Sequence, residues 1–235
     1  IYTLSLHDAL PISSLADDRD RVHTTFNQLA TATGRLSSSN PNLQNIPIRG
    51  ALGPKMRSCF VASPGNLLVA ADYSQIELRV LAHMSGDPTL LAAFAEGDDI
   101  HARTARLLFD KTEVSTDERR RAKTINFGLL YGMGPQKLGR ELGIGLKEAK
   151  EFIAVYFEKL SRVRRFYEEI EESAKALGYV TTLAGRRRML PEIHSRNVNL
   201  AQQARRMAIN TVVQGSAADR SEEHTSELQS PSLIS

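Results

Sequence analysis

Read as apolar and polar positions, the chain from Pro64 onward resolves into helices separated by short stops. The run Leu67-Leu68-Val69-Ala70-Ala71 follows the Pro64-Gly65 turn and predicts a short buried strand. Ile76, Val80, Leu81 and Met84 then share one helical face, and Gly86 marks its end. Further helices are expected around 88–96, 99–109, 116–131 and 135–142. A long one over 147–177 turns a stripe of Phe152, Ile153, Tyr156, Phe157, Leu160, Phe166, Tyr167 and Ile170 inward, with Gly178 as its stop. Residues 179–183 and 187–190, joined through Ala184-Gly185, predict a hairpin. A last helix spans about 197–213. Residues 34–49, GRLSSSNPNLQNIPIR, are rich in Ser, Asn and Pro and predict an ordered loop. The expected fold class is α+β, mostly helical, with a small antiparallel sheet.

Composition changes this picture little. The 235 residues suffice for one large domain or two small ones, and 41% apolar with 24% charged residues is ordinary for a soluble protein. No apolar run approaches the roughly 18 residues of a membrane span. The N-terminus lacks the basic-then-apolar order of a secretory signal. Cys59 stands alone, which excludes an internal disulfide and suits a reducing compartment. A cytoplasmic monomer without membrane contact is expected.

Charge is more informative in its distribution than in its sum of +3. Arg119-Arg120-Arg121-Ala122-Lys123, Arg162-Val163-Arg164-Arg165, Arg186-Arg187-Arg188 and Arg205-Arg206 are separate basic clusters. Each alone reads as a solvated helix face, but together they point to a polyanionic partner. The ends differ from the rest. IYTLSLHDALPI and RSEEHTSELQSPSLIS continue no apolar period and resemble conceptual translations of sequencing adapters; genuine polar tails are the other reading. Residues 1–13 and 220–235 are therefore expected to be non-native tails. They hold one of the basic residues, Arg220, and four acidic ones, Asp8, Glu222, Glu223 and Glu227, so the remainder is more basic still.

Two constellations carry chemistry. Asp72, where the expected strand gives way to a helix, reads either as a magnesium ligand at a sheet rim or as a helix N-cap. The second is sharper: Arg119, Lys123, Phe127 and Tyr131 recur every four residues in RRRAKTINFGLLYG. Four residues turn a helix by about 400°, so these side chains form one slowly drifting ridge, and twelve residues rise about 18 Å. Two cations at one end suit phosphates, and two rings further on suit a base or sugar. Gly128 and Gly132 would leave room beside the rings. An amphipathic helix with a basic start is the alternative, although cations in a first turn oppose the helix dipole.

DYSQIELR, beginning at Asp72, resembles the first catalytic motif of the family that includes bacterial DNA polymerase I, the family A DNA polymerases. RRRAKTINFGLLYG resembles that family's fingers helix. TATGRLSSSNPNLQNIP resembles its primer-template loop, and the stretch from Arg206 to Gln214 with QGSAAD resembles its helix returning to the palm. The implied architecture is a partial right-hand polymerase: palm over 14–86, fingers over 87–205 and a return to the palm over 206–219. The implied activity is template-directed DNA synthesis, by nucleotidyl transfer from a dNTP to a primer 3′-hydroxyl assisted by two magnesium ions.

Site roles follow from the same resemblance. Asp72 and the Tyr73 carbonyl would ligate metal, and Asp72 with Lys123 would be catalytic. Tyr73, Gln75, Glu77, His101, Arg119, Lys123, Phe127 and Tyr131 would meet the dNTP, with Glu77 excluding a 2′-hydroxyl. Arg35, Asn42, Gln44, Asn45, Arg206, Asn210 and Gln214 would hold the primer-template, largely through its minor groove, where readout is degenerate. The family's second catalytic aspartate belongs to a His-Asp-Glu hairpin beyond Asp219. His7-Asp8 and Asp98-Asp99 lack that setting, so the chain as written is expected to have almost no polymerase activity. A non-catalytic nucleic-acid-binding module and a fragment of a single-subunit RNA polymerase are the competing readings; Glu77 argues against the latter.

Overall fold

A computed structural model of the chain describes residues 14–47 and 53–220. The expected tails over 1–13 and 221–235 lie outside the described residues, whereas Arg220 continues the final helix. The chain divides into two compact units, one running through Tyr73 and the other from Ser74 onward.

In the first unit the expected loop is partly regular. Strands β1 (Thr25–Asn27) and β2 (Ser37–Ser39) pair antiparallel, with Thr25 opposite Ser39 and Asn27 opposite Ser37. Two hydroxyls, Thr24 Oγ1 and Ser38 Oγ, meet beside this ladder at 2.6 Å. A 3-10 turn, Leu43–Asn45, follows with Asn42 as its cap, and helix α1 occupies Gly53–Ser58. The strand expected over 67–71 does not form. Leu67 is 89% and Val69 90% exposed, and no described residue pairs with this stretch. A strand owes its stability to a ladder partner and a covered face. An apolar run signals the readiness to be covered and cannot supply the partner.

The second unit is a helical assembly with its own core. Its helices are α2 (Ile76–Ser85), α3 (Pro88–Ala95), α4 (Ile100–Phe109), α5 (Thr116–Leu130), α6 (Pro135–Leu142), α7 (Leu146–Lys159), α8 (Ser161–Leu177) and α9 (Val198–Asn210). The helix starts follow capping chemistry. Asp87 caps α3 and Asp99 caps α4, each accepting from two backbone N–H groups, while Ser115 and Glu118 form a capping box on α5.

The long helix expected over 147–177 is interrupted. Leu160 leaves helical geometry at φ −112° and ψ 59°, with its side chain almost wholly buried. The break lets α7 and α8 turn separate apolar stripes to one core, where Phe157 makes edge contacts with both Tyr156 and Tyr167. Strands β3 (Tyr179–Thr181) and β4 (Arg187–Met189) form the expected hairpin, Tyr179 opposite Met189. Helix α9 ends earlier than expected in a π turn, Thr211–Gly215, and helical structure resumes from Ser216 to Arg220. The fold class is α+β and mostly helical, as the periodicities imply.

Candidate nucleotide-binding site

Helix α5 carries the ridge. Arg119 and Phe127 are half-buried and Lys123 is exposed, while Tyr131 sits just past the last turn as the C-cap. The basic residues are not in the first turn, as the sequence suggested. Asp117 and Glu118 occupy it and complement the positive end of the dipole. The cations begin one residue later, so no conflict with the dipole remains.

Arg119 is already engaged. Its Nε and one terminal nitrogen donate to Asp99 Oδ2 at 2.8 and 2.6 Å, while Asp99 Oδ1 accepts from the N–H groups of His101 and Ala102. One carboxylate thus ties the start of α4 to the ridge of α5. Burial opposes ionisation of Asp99, but the Ala102 amide, the Arg119 guanidinium and the His101 amide outweigh it and hold its pKa below the usual value.

His101 is 2% exposed, and its ring lies 5.5 Å from that of Phe127. Burial lowers its pKa to about 4; Asp99 works against that shift, and Arg119 and Lys123 reinforce it. His101 therefore stays neutral near pH 7 while standing in the field of both cations. No described carboxylate pairs with Lys123, which leaves its ammonium available to an anion.

At the other end of the ridge the Tyr131 hydroxyl donates to Glu77 Oε2, and Glu77 is 5% exposed. The space expected beside the two glycines is filled. A Cβ on Gly128 would meet Met133 Sδ at 3.1 Å, and one on Gly132 would meet Arg206 Cγ at 2.9 Å. Gly132 also has φ +67°, which glycine alone adopts without strain. Its missing side chain lets the Arg206 stem lie against the turn after Tyr131. Tyr131, Lys137, Arg140, Arg206 and Asn210 line one groove of about 910 Å³, while Gln214 lies beyond it in the π turn.

The remaining sequence-derived residues lie in the first unit or at the edge of the second. Asp72 and Tyr73 are exposed in a stretch without regular structure. Asp72 does not cap α2: the cap position belongs to Gln75, in left-handed conformation and without a side-chain cap bond. Arg35, Asn42, Gln44 and Asn45 are exposed around β2 and the following turn, where Asn42 accepts from the Gln44 N–H and Gln44 donates to the Leu36 carbonyl. Several basic clusters are locally neutralised, Arg164 by Glu168, Arg165 by Glu169 and Arg186 by Asp219. Reasoning from sequence missed Asp99 as an organiser of the site, together with Thr104 and Asn126. Those polar residues sit at buried positions of α4 and α5, and that break in the apolar stripe was the available signal.

The helix thus presents a cationic and aromatic face whose terminal tyrosine is bonded to a buried carboxylate. The sequence matches the family described as DNA polymerase family A over residues 3–225, and the chain belongs to that family. It is 55% identical over 212 residues to the thermostable DNA polymerase I of Thermus filiformis, covering 89% of this chain and 26% of that protein. Against DNA polymerase I of Bacillus caldotenax the identity is 54% over 205 residues, covering 86% and 23%. A solved structure titled as the POL domain of Pol1 from M. smegmatis, in complex with DNA primer-template and dNTP, superposes with a TM-score of 0.82 at 42% identity. That match covers 90% of this chain and 38% of that one. The chain spans about a quarter of the length of the curated relatives it matches. No helix among the described residues is long and apolar enough to cross a membrane.

Proposed function

We propose that this chain is the dNTP-gripping part of a DNA-directed DNA polymerase, a cytoplasmic monomer whose complete form extends a primer on a template. The proposed partition is palm over 14–86, fingers over 87–205 and a return to the palm over 206–219. The observation that carries the reading is the α5 ridge with His101 packed against Phe127. Arg119 and Lys123 would hold the triphosphate by charge-assisted hydrogen bonds, and Lys123 would hand a proton to the leaving pyrophosphate. Phe127 would lie under the deoxyribose. Glu77, held by the Tyr131 hydroxyl, would occupy the volume a 2′-hydroxyl needs, which favours a deoxynucleotide substrate over a ribonucleotide. Tyr73 and Gln75 would also meet the dNTP. Arg206, Asn210 and Gln214, with Arg35, Asn42, Gln44 and Asn45, would contact primer-template DNA.

Two magnesium ions belong to this reading of the complete enzyme, where they would neutralise phosphate charge. The donors proposed here, the Asp72 carboxylate and the Tyr73 carbonyl, lie on one exposed stretch. The described residues contain no group of three or more His, Cys, Asp or Glu able to hold a metal. Asp72 and Tyr73 do not make a two-metal site by themselves.

The test is a pair of assays on the purified chain. Fluorescent dNTP should bind, and Lys123→Ala should weaken that binding. Primer extension with magnesium should be lower than that of a complete polymerase by several orders of magnitude, since each 1.36 kcal/mol of lost transition-state stabilisation is tenfold in rate. Salt-sensitive DNA binding without any nucleotide effect would instead mark a simple nucleic-acid-binding module.

A further inference from the structure

Between α4 and α5 lies a small polar cluster that none of the roles above explains. Asn126 is fully buried, next to Phe127 and three residues after Lys123. Its Nδ2 lies 3.1 Å from His101 Nδ1 and donates to Thr104 Oγ1 at 3.0 Å. Thr104 gives its own proton to the Ile100 carbonyl at 2.7 Å. The same hydroxyl also reaches Asn126 Oδ1 at 3.2 Å, so it touches both atoms of the amide. The amide nitrogen is the atom turned towards His101, and it donates there. Nδ1 is then an acceptor, and a neutral imidazole that accepts at Nδ1 carries its proton on Nε2.

We propose that Asn126, held in place by Thr104 and with its amide nitrogen on Nδ1, is a positioning residue that fixes His101 as the Nε2–H tautomer and so makes it a neutral donor to an anionic ligand on the α5 ridge. The inference rests on the proposed triphosphate site, which gives that donor something to bind. Its physical content is a choice between two forms. With the proton on Nδ1, two N–H groups would face each other in a buried space, and Nε2 would turn a lone pair towards phosphate oxygens. With the proton on Nε2, the buried bond is made and the ring adds a third donor to those of Arg119 and Lys123. Desolvation keeps the ring from becoming a cation, so the tautomer decides what His101 offers. Asn126 need not touch the ligand to act.

The test uses the full chain with 15N-labelled histidine above pH 6.5, read by long-range proton–nitrogen correlation with inorganic tripolyphosphate as the probe. His101 should be in the Nε2–H form. Asn126→Asp, which can only accept here, should put a proton on Nδ1 and weaken tripolyphosphate binding roughly tenfold. Thr104→Val frees the amide to rotate, and should give a mixture of tautomers even if the aspartate variant fails to fold. An Nδ1–H ring in the unsubstituted chain, or a tautomer unchanged by both substitutions, would overturn the inference. An Nε2–H ring whose signals ignore tripolyphosphate supports the tautomer assignment and overturns the proposed anion site instead.

Discussion

The two units of this chain solve the problem of holding functional side chains in opposite ways. From Ser74 onward, Glu77, His101, Arg119 and Tyr131 are tied by side-chain partners over a continuous apolar core. Through Tyr73, the described residues bury no large apolar side chain; Ser38 and Gly53 are the buried positions, and Asp72 stands exposed in irregular backbone. A site is held as firmly as the packing behind it. The phosphate-facing half of the proposed chemistry is thus built into the helical unit, whereas the metal-facing half depends on contacts that the described residues do not make.

Paired truncations should separate the two units most widely. Leu81→Ala in the core should cost about 3 kcal/mol in urea unfolding. Leu68→Ala, at a site 68% exposed, should cost under about 0.5 kcal/mol. Equal losses would show that the exposed stretch is covered in solution.

Acid should destabilise the helical unit through His101. An unfolded His101 takes up its proton near pH 6.5, but the folded ring does so near 4. Between those values the unfolded state binds more protons, so stability rises with pH. It is complete above 6.5 and falls by on the order of 3 kcal/mol as pH drops to about 4. Thermal melts should show this decline, and His101→Gln should flatten it.

Gly132→Ala combines a positive φ with a Cβ driven against Arg206. It should cost about 1–2 kcal/mol and weaken DNA binding through the displaced arginine, read by melting and by a gel-shift titration. Within the helical unit the mildest of these losses belongs to Ser115→Ala, which removes the α5 capping box and should cost about 1 kcal/mol in the same melts.

What the amino-acid sequence discloses follows the same division between the units. Helices from 76 onward were readable because each buries a stripe of its own residues, and their boundaries are set by local capping groups such as Asp87, Asp99 and Gly178. The run at 67–71 was misleading because a strand is a property of two segments, and its apolar pattern carries no information about a partner. Leu160 hides a break because nothing in its chemistry disfavours a helix; the decision lies in how two stripes reach one core. Within the site, the ridge was visible as a spacing of four along one helix. The Asp99–Arg119 bond and the Asn126–His101–Thr104 cluster were not, since they join positions twenty or more residues apart.

The proposed anion grip is self-contained in the helical unit. Calorimetric titration of tripolyphosphate into the full chain without metal tests it directly, comparing Asp72→Ala with Lys123→Ala. Asp72→Ala should leave affinity unchanged, and Lys123→Ala should lower it by roughly tenfold or more. Loss of binding in Asp72→Ala with full binding in Lys123→Ala would contradict it.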